Sequence, residues 1–307
     1  MSTPRVAIVK NRFRAGFTLV EMIVSIVVIA VMAVAVTAFL RNPMVSYQDA
    51  QRRASLTDTV QTAFSYFSRD LQTALPNSVR VPPPIGGVYY LEFLKVRTGG
   101  RYRAAHGGET AACPTTGTED GDVLVFGVED TCFRSLGDIP NLASIVTGND
   151  YLVVYNLGTA YDVSANAYQA CPSSTAGCNK SLITAVSASP SDHEDRITFQ
   201  SNTFTLDSPA HRFQVVSGPV SYICNPSAGT LTRISGYPIS ATQQTPPAGG
   251  TTASLIASGA GSITACTITY DVVNERTALV SMWLTLKDPA GSATVNLFQQ
   301  VQVSNVP

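Results

Sequence analysis

The chain has few charged residues, three histidines and a single tryptophan. This composition argues against several classes of function. Lys, Arg, Asp and Glu make up 13% of the 307 residues, about half the share of an ordinary soluble domain. Twenty basic residues balance 21 acidic ones, which leaves no positive excess for binding nucleic acid. The chain has no Cys-x-x-Cys pair, no Gly-x-Ser-x-Gly motif and no phosphate-binding Gly-Lys-Ser/Thr sequence. The sequence therefore predicts no catalytic residues, no metal site and no cofactor.

Only one apolar run is long enough to cross a membrane. Residues 22–40 are nineteen uncharged residues, which as an α-helix would span about 28 Å of a hydrocarbon core roughly 30 Å thick. The preceding residues 1–16 carry four basic side chains and no acidic one. Such a basic flank stays in the cytoplasm, so we expect the rest of the chain to be exported.

Glu21 lies at the start of this run, where a carboxylate is costly unless it has a partner. One explanation is a side chain that reaches the lipid headgroups. However, the sequence Ala15-Gly16-Phe17-Thr18-Leu19-Val20-Glu21-Met22 resembles the N-terminal signal of type IV prepilins and type II secretion pseudopilins. The resemblance implies that a prepilin peptidase cuts between Gly16 and Phe17, that Phe17 is then N-methylated, and that Glu21 acts in polymerisation.

Elementary electrostatics agrees with this implication. Cleavage would create a cationic amine on Phe17, and opposite charges attract strongly where the dielectric constant is low. The amine of one subunit could therefore offset Glu21 of its neighbour and set the axial register of stacked helices. The alternative is an ordinary signal peptide cut after Ala33-Val34-Ala35, which would release a soluble β-protein.

An amphipathic helix is predicted to follow the apolar run. Its apolar stripe recurs at intervals of three and four residues, at Leu56, Val60, Phe64, Phe67, Leu71 and Leu75. Pro76-Asn77 should stop the helix, and Pro43 should kink or locally melt it. The expected organisation is a leader at 1–16, a transmembrane and polymerisation helix at 17–41, a stalk helix at 42–76 and a β-rich head at 77–307.

Short β-rich runs fill the predicted head. We predict strands at Val88–Val96, Asp122–Val128, Tyr151–Asn156, Arg196–Phe204, Arg212–Val216, Val220–Cys224, Leu231–Tyr237, Thr264–Val272, Ala278–Lys287 and Ala293–Val303. The strand Ala278–Lys287 has few polar residues and is expected to be central and covered on both faces. Residues 239–262 are interpreted as a surface loop, and Asp288-Pro289-Ala290-Gly291 as a hairpin turn.

All six cysteines fall in the predicted exported head, where an even number favours disulfides over metal ligation. Fifteen pairings are possible. We favour the sequential set, which joins Cys113 to Cys132, Cys171 to Cys178 and Cys224 to Cys266.

Two acidic clusters could offer oxygen ligands to a divalent ion, but neither has the spacing of a known calcium loop. The segment Asp192-His193-Glu194-Asp195 is interpreted as a solvated turn, and Glu119-Asp120-Gly121-Asp122 as a hairpin signal. Tyr89, Tyr90, Tyr102, Arg101 and Arg103 are interpreted as strand-packing residues rather than as a glycan or partner surface.

Segments of the stalk and head carry a narrower resemblance. The stretches Gln51–Leu56, Ser68–Leu71, Ala74–Arg80 and Val216–Tyr222 are similar to minor pilins of the MSHA pilus, of the MshO type. J-type pseudopilins of type II secretion and PilW-like minor pilins share the same plan. The resemblance implies an α+β pilin-like fold, with a long N-terminal helix packed on a mainly antiparallel sheet.

This resemblance also implies partners and a location. The expected partners are the inner membrane, a prepilin peptidase, other major and minor pilins and the pilus assembly platform. The expected location is the bacterial inner membrane, with a cytoplasmic N-terminus and a periplasmic head, and then the pilus. A head of roughly 230 residues is bulky for a repeating shaft subunit, so we expect a place near the tip or in the initiation complex. A tip adhesin is a further alternative.

Overall fold

The computed structural model describes residues 16–105, 123–171, 177–190, 193–257, 262–274, 276–289, 291 and 293–307. The chain divides after Gln51 into two compact units. Helix α1 spans Leu19–Gln72 and contributes residues to both.

The first unit contains the apolar part of α1. Its described side chains are exposed almost throughout, because residues 16–51 form no second element for the helix to pack against. Helical backbone continues through Pro43. The predicted local melting at Pro43 is therefore wrong, and the alternative kink stays a prediction.

In the second unit, the rest of α1 packs its apolar stripe into the core. All six predicted stripe residues are buried, from Leu56 to Leu75. The helix ends at Gln72 rather than at the predicted residue 76. It ends early because the next residues pair with a strand: Ala74 bridges Lys95, and the Leu75 amide donates to the Leu94 carbonyl at 2.8 Å.

Eleven strands are described. In chain order they are β1 (Tyr89–Arg101), β2 (Asp130–Arg134), β3 (Tyr151–Val154), β4 (Lys180–Ser187), β5 (Arg196–Asn202), β6 (Arg212–Asn225), β7 (Thr230–Ser235), β8 (Thr251–Ile256), β9 (Ser262–Asn274), β10 (Thr277–Lys287) and β11 (Thr294–Ser304). An eight-stranded sheet has the order β2-β5-β4-β3-β6-β7-β8, with β1 also paired to β6. A three-stranded sheet has the order β11-β10-β9. Every strand pair is antiparallel. The fold is therefore α+β.

Most predicted strands are present, with differences that come from tertiary pairing. The predicted strands Arg212–Val216 and Val220–Cys224 are one strand, β6, because β1 pairs along both halves with register shifts between them. Strands β2 and β4 were missed, and the predicted loop at 239–262 contains β8, which adds to the edge of β7. Among described residues 123–128, a single bridge at Phe126 replaces the expected strand.

Strand β10 is central in its sheet, as predicted, but the expectation that both of its faces are covered is wrong. Its burial alternates, with Val280, Met282 and Leu284 buried and Trp283 51% exposed. Only the inner face meets the core that α1 and the large sheet share with it. The predicted hairpin turn after β10 is present, where the Gly291 amide donates to the Asp288 carbonyl at 2.9 Å.

Candidate functional site

The helix begins at the residues that resemble the prepilin signal. Thr18 caps the helix, since its Oγ1 accepts from the Glu21 amide at 3.3 Å and its carbonyl accepts from the Met22 amide at 3.1 Å. Glu21 lies in the first turn, where a negative charge interacts favourably with the helix dipole. The Thr-x-x-Glu spacing of a capping box was readable in the sequence, and our sequence reasoning missed it.

The predicted processing residues are open to solvent. Gly16 is exposed, Phe17 is 76% exposed, and Glu21 is exposed. Among the described residues, Glu21 forms no ion pair. The Glu21 carboxylate is therefore exposed and unpaired within the described part of the chain.

The described membrane candidate is Leu19–Thr37, with a mean hydropathy of 2.9 and no residue buried. Its two hydroxyl side chains are hydrogen-bonded within the helix. Ser25 Oγ donates to the Glu21 carbonyl at 2.7 Å, and Thr37 Oγ1 donates to the Val34 carbonyl at 2.9 Å. The segment can therefore enter an apolar medium without unpaired hydroxyl groups.

In the second unit, a buried carboxylate on α1 joins the helix to the large sheet. Asp70 accepts from Arg233 at 2.5 Å, from Lys95 at 2.8 Å and from the Tyr222 hydroxyl at 2.8 Å. Burial alone would raise the pKa of Asp70, but the hydrogen bonds from Arg233, Lys95 and Tyr222 outweigh it and lower that pKa. The sequence alone did not indicate this contact, because no local pattern connects residues 70 and 233.

A second buried carboxylate fixes the segment that leaves α1. Glu92 on β1 pairs with Arg80 and accepts from the Tyr237 hydroxyl at 2.8 Å. Arg80 also donates to the Ser240 and Ala241 carbonyls, each at 2.9 Å. The guanidinium carbon of Arg80 lies 3.7 Å from the centre of the Tyr168 ring. Four separate segments are therefore held together around one ion pair.

The interpretation of Asp192–Asp195 as a solvated turn is wrong for its last two residues. Asp195 is buried, and its carboxylate accepts from the Ile139 amide at 2.7 Å and from the Ser189 amide at 3.2 Å. Glu194 is buried as well and pairs with Arg103. These acids hold loops together, which a four-residue pattern cannot reveal because their partners lie far away in sequence. The cluster Glu119–Asp122 lies outside the described residues.

Two of the sequential disulfides are present, and both are placed where they hold the second unit together. Cys171–Cys178 closes a short loop, and Cys224–Cys266 joins β6 to β9 and so ties the two sheets. Cys132 is also disulfide-bonded, while its predicted partner Cys113 lies outside the described residues.

The remaining candidates are mostly structural. Tyr90 and Tyr102 are buried, and the Tyr102 hydroxyl donates to Asp207 and accepts from the Ser208 amide at 2.8 Å. Tyr89 is partly buried, and Arg101 is exposed at the end of β1. Among the described residues, no group of three or more potential metal ligands is found.

Comparison with known proteins matches the N-terminal part of the chain. Residues 11–37 match a family model described as the prokaryotic N-terminal methylation motif. No curated protein and no solved structure matches the chain. The matched segment contains Gly16, Phe17 and Glu21 and ends where the exposed apolar segment ends. The motif, the apolar helix found among the described residues and the disulfide-bonded antiparallel sheets together indicate a type IV pilin-like protein.

Proposed function

We propose that this chain is a minor pilin or pseudopilin, a structural assembly subunit of an MSHA-like type IV pilus, and not an enzyme. One observation carries the proposal. The methylation motif coincides with a helix start at which Phe17 and Glu21 are exposed and Glu21 has no ion-pair partner among the described residues. A carboxylate in that position needs a cation from another molecule if the segment is to be buried in apolar surroundings.

In the proposed mechanism, a neighbouring subunit supplies the cation that Glu21 requires. A prepilin peptidase cuts after Gly16, and the new N-terminal amine of Phe17 is methylated and stays cationic. In a filament, that amine pairs with Glu21 of a neighbouring subunit. The exposed apolar surface of residues 19–37 is then covered by other helices instead of lipid. A single axial offset between neighbouring helices satisfies both charges, so the pair selects the register of the helices.

The bulk of the head supports a place in the initiation complex or near the tip, where few copies stack. Residues 52–307 form a compact unit with its own core and two described disulfides. The J-type pseudopilin of type II secretion is the second candidate, since the same helix and disulfide-bonded head serve either system. An adhesive role of the head at the tip is compatible with both.

The mature N-terminus tests the proposal. Mass spectrometry of the protein from membranes should find a chain that begins at N-methylated Phe17, with 16 of 307 residues removed and 291 left. Gly16→Leu should block this processing, while Gly16→Ala should reduce it less. A native chain that keeps residues 1–16, or that begins after Ala35, would refute the proposal.

Gene deletion separates the two systems. Loss of surface filaments with intact protein secretion supports the pilus subunit, whereas intact filaments with blocked secretion support the pseudopilin. Normal filaments that no longer attach to surfaces would assign the head an adhesive role.

A further inference from the structure

In the described part of the chain, strand β11 is an edge of the three-stranded sheet, and its own sequence and pairing lack the charge, proline and bulge that often protect such an edge. It pairs with β10 along all eleven residues without a register shift, whereas β9 pairs with β10 with two shifts. Its sequence, TVNLFQQVQVS, has no charged residue and no proline. Natural edge strands are normally blunted by charge, proline or a bulge.

The other side of β11 is unpaired in the part of the chain that the structure describes. Among the described residues, no backbone hydrogen bond joins its outer edge to another element. The strand therefore presents a straight row of free amide and carbonyl groups, which is a template for another strand.

Side chains on both faces of β11 are also incompletely covered. On the outer face, Phe298 is 51% exposed and lies against Trp283, with ring centres 5.6 Å apart. On the inner face, Val295 and Leu297 are only partly buried. A recess of about 350 Å³ lies beside the strand, and it is lined by Gln61, Phe64, Ser65, Ser68 and Gln299. An added strand would cover apolar surface on both faces of the sheet.

We infer that β11 pairs with β11 of a second copy of this chain, in antiparallel orientation. The midpoint of the strand is Gln299, so full overlap places Phe298 opposite Gln300 of the second copy and Asn296 opposite its Gln302. Every directly opposed pair is uncharged, and self-pairing therefore brings no like charges together. The interface is the same on both copies, as two-fold symmetry requires. This inference does not rest on the proposed function.

The test uses the full chain in detergent micelles, with its mass measured by light scattering over a range of protein concentrations. We expect a dimer. The double variant N296K/Q302K places lysines opposite each other twice, and it should raise the dissociation constant at least tenfold. Mixing it with N296E/Q302E should restore pairing, because each lysine then faces a glutamate.

Thr267→Lys is the matched control, since Thr267 is exposed on β9 of the same sheet and away from this edge. It should leave the dimer unchanged, and circular dichroism should show that every variant is folded. A wild-type chain that stays monomeric, or a dimer that N296K/Q302K leaves intact, would overturn the inference. An edge that instead binds a strand of a different protein would leave the purified chain monomeric and would overturn it equally.

Discussion

Asp70 on α1 accepts a 2.5 Å hydrogen bond from Arg233 on β7, a residue 163 positions later in the chain. Lys95 and Tyr222 bind the same carboxylate, so one helical side chain is connected to three strands of the large sheet. Within the second unit, charged contacts as well as apolar packing therefore hold α1 on the large sheet.

Removing the charge of Asp70 should destabilise the second unit strongly. Asp70→Asn leaves two partly buried cations without their shared anion, and we expect a loss of about 3 kcal/mol in the free energy of unfolding. Chemical denaturation of the disulfide-intact chain measures it. The control is Asp58→Asn, because Asp58 is exposed on the same helix. A loss in D70N no larger than in the control would show that the cluster contributes nothing.

Because of Lys180, we expect the free energy of unfolding to increase as the pH rises in alkaline solution. Its amine is buried and donates to the Ala167 carbonyl at 2.6 Å, and burial lowers its pKa from 10.5 to about 8. Between those two values the unfolded chain binds more protons than the folded chain, so raising the pH favours folding. The shift corresponds to about 3 kcal/mol.

The test compares the free energy of unfolding of the wild type and of Lys180→Met from about pH 7.5 to about pH 9.5. This range extends into the interval between the folded and unfolded pKa values of Lys180. The wild type should gain stability relative to K180M as the pH rises. Lys287→Met replaces an exposed lysine on β10 and should keep the wild-type slope. Parallel curves for wild type and K180M would contradict the prediction.

Asp195 should behave as a buried structural acid. Asp195→Ala leaves the Ile139 and Ser189 amides without their acceptor, which should cost about 2 kcal/mol. The control is His193→Asn, at an exposed neighbour whose backbone φ of 57° asparagine tolerates. If both variants unfold alike in denaturant, Asp195 is not a structural acid of this kind.

Glu21 should matter for assembly and not for processing. Glu21→Ala keeps the apolar segment intact, so we expect insertion and cleavage to proceed while the amount in sheared filaments falls at least tenfold. The amount of the Glu21→Gln variant in sheared filaments should fall similarly, because the negative charge of Glu21, and not its shape, binds the amine. Ser25→Ala, one turn further along α1, is the control. Quantitative immunoblots of filament and membrane fractions give the answer, and full incorporation of E21Q would disprove the charge pairing.

The sequence by itself determined the features that depend on local order. The basic flank, the apolar run and Glu21 follow directly from residues 1–40, and the stripe from Leu56 to Leu75 is set by helical periodicity. Most strand positions also follow from local alternation and turn residues. Such patterns involve neighbours a few positions apart, so they can be read without knowing the fold.

Only the tertiary structure decided how distant residues meet. It buried Asp70, Glu92 and Asp195 and placed them beside Arg233, Arg80 and Ile139, which lie 163, 12 and 56 residues away. It also converted part of a predicted loop into β8, and it exposed Trp283 on a face of β10 that no described element covers. No local sequence pattern identifies the ion-pair partner of a charged residue. An edge strand such as β8 forms only where a neighbouring strand offers it backbone hydrogen bonds. These outcomes are set by the packing of whole elements and cannot be read from any window of sequence.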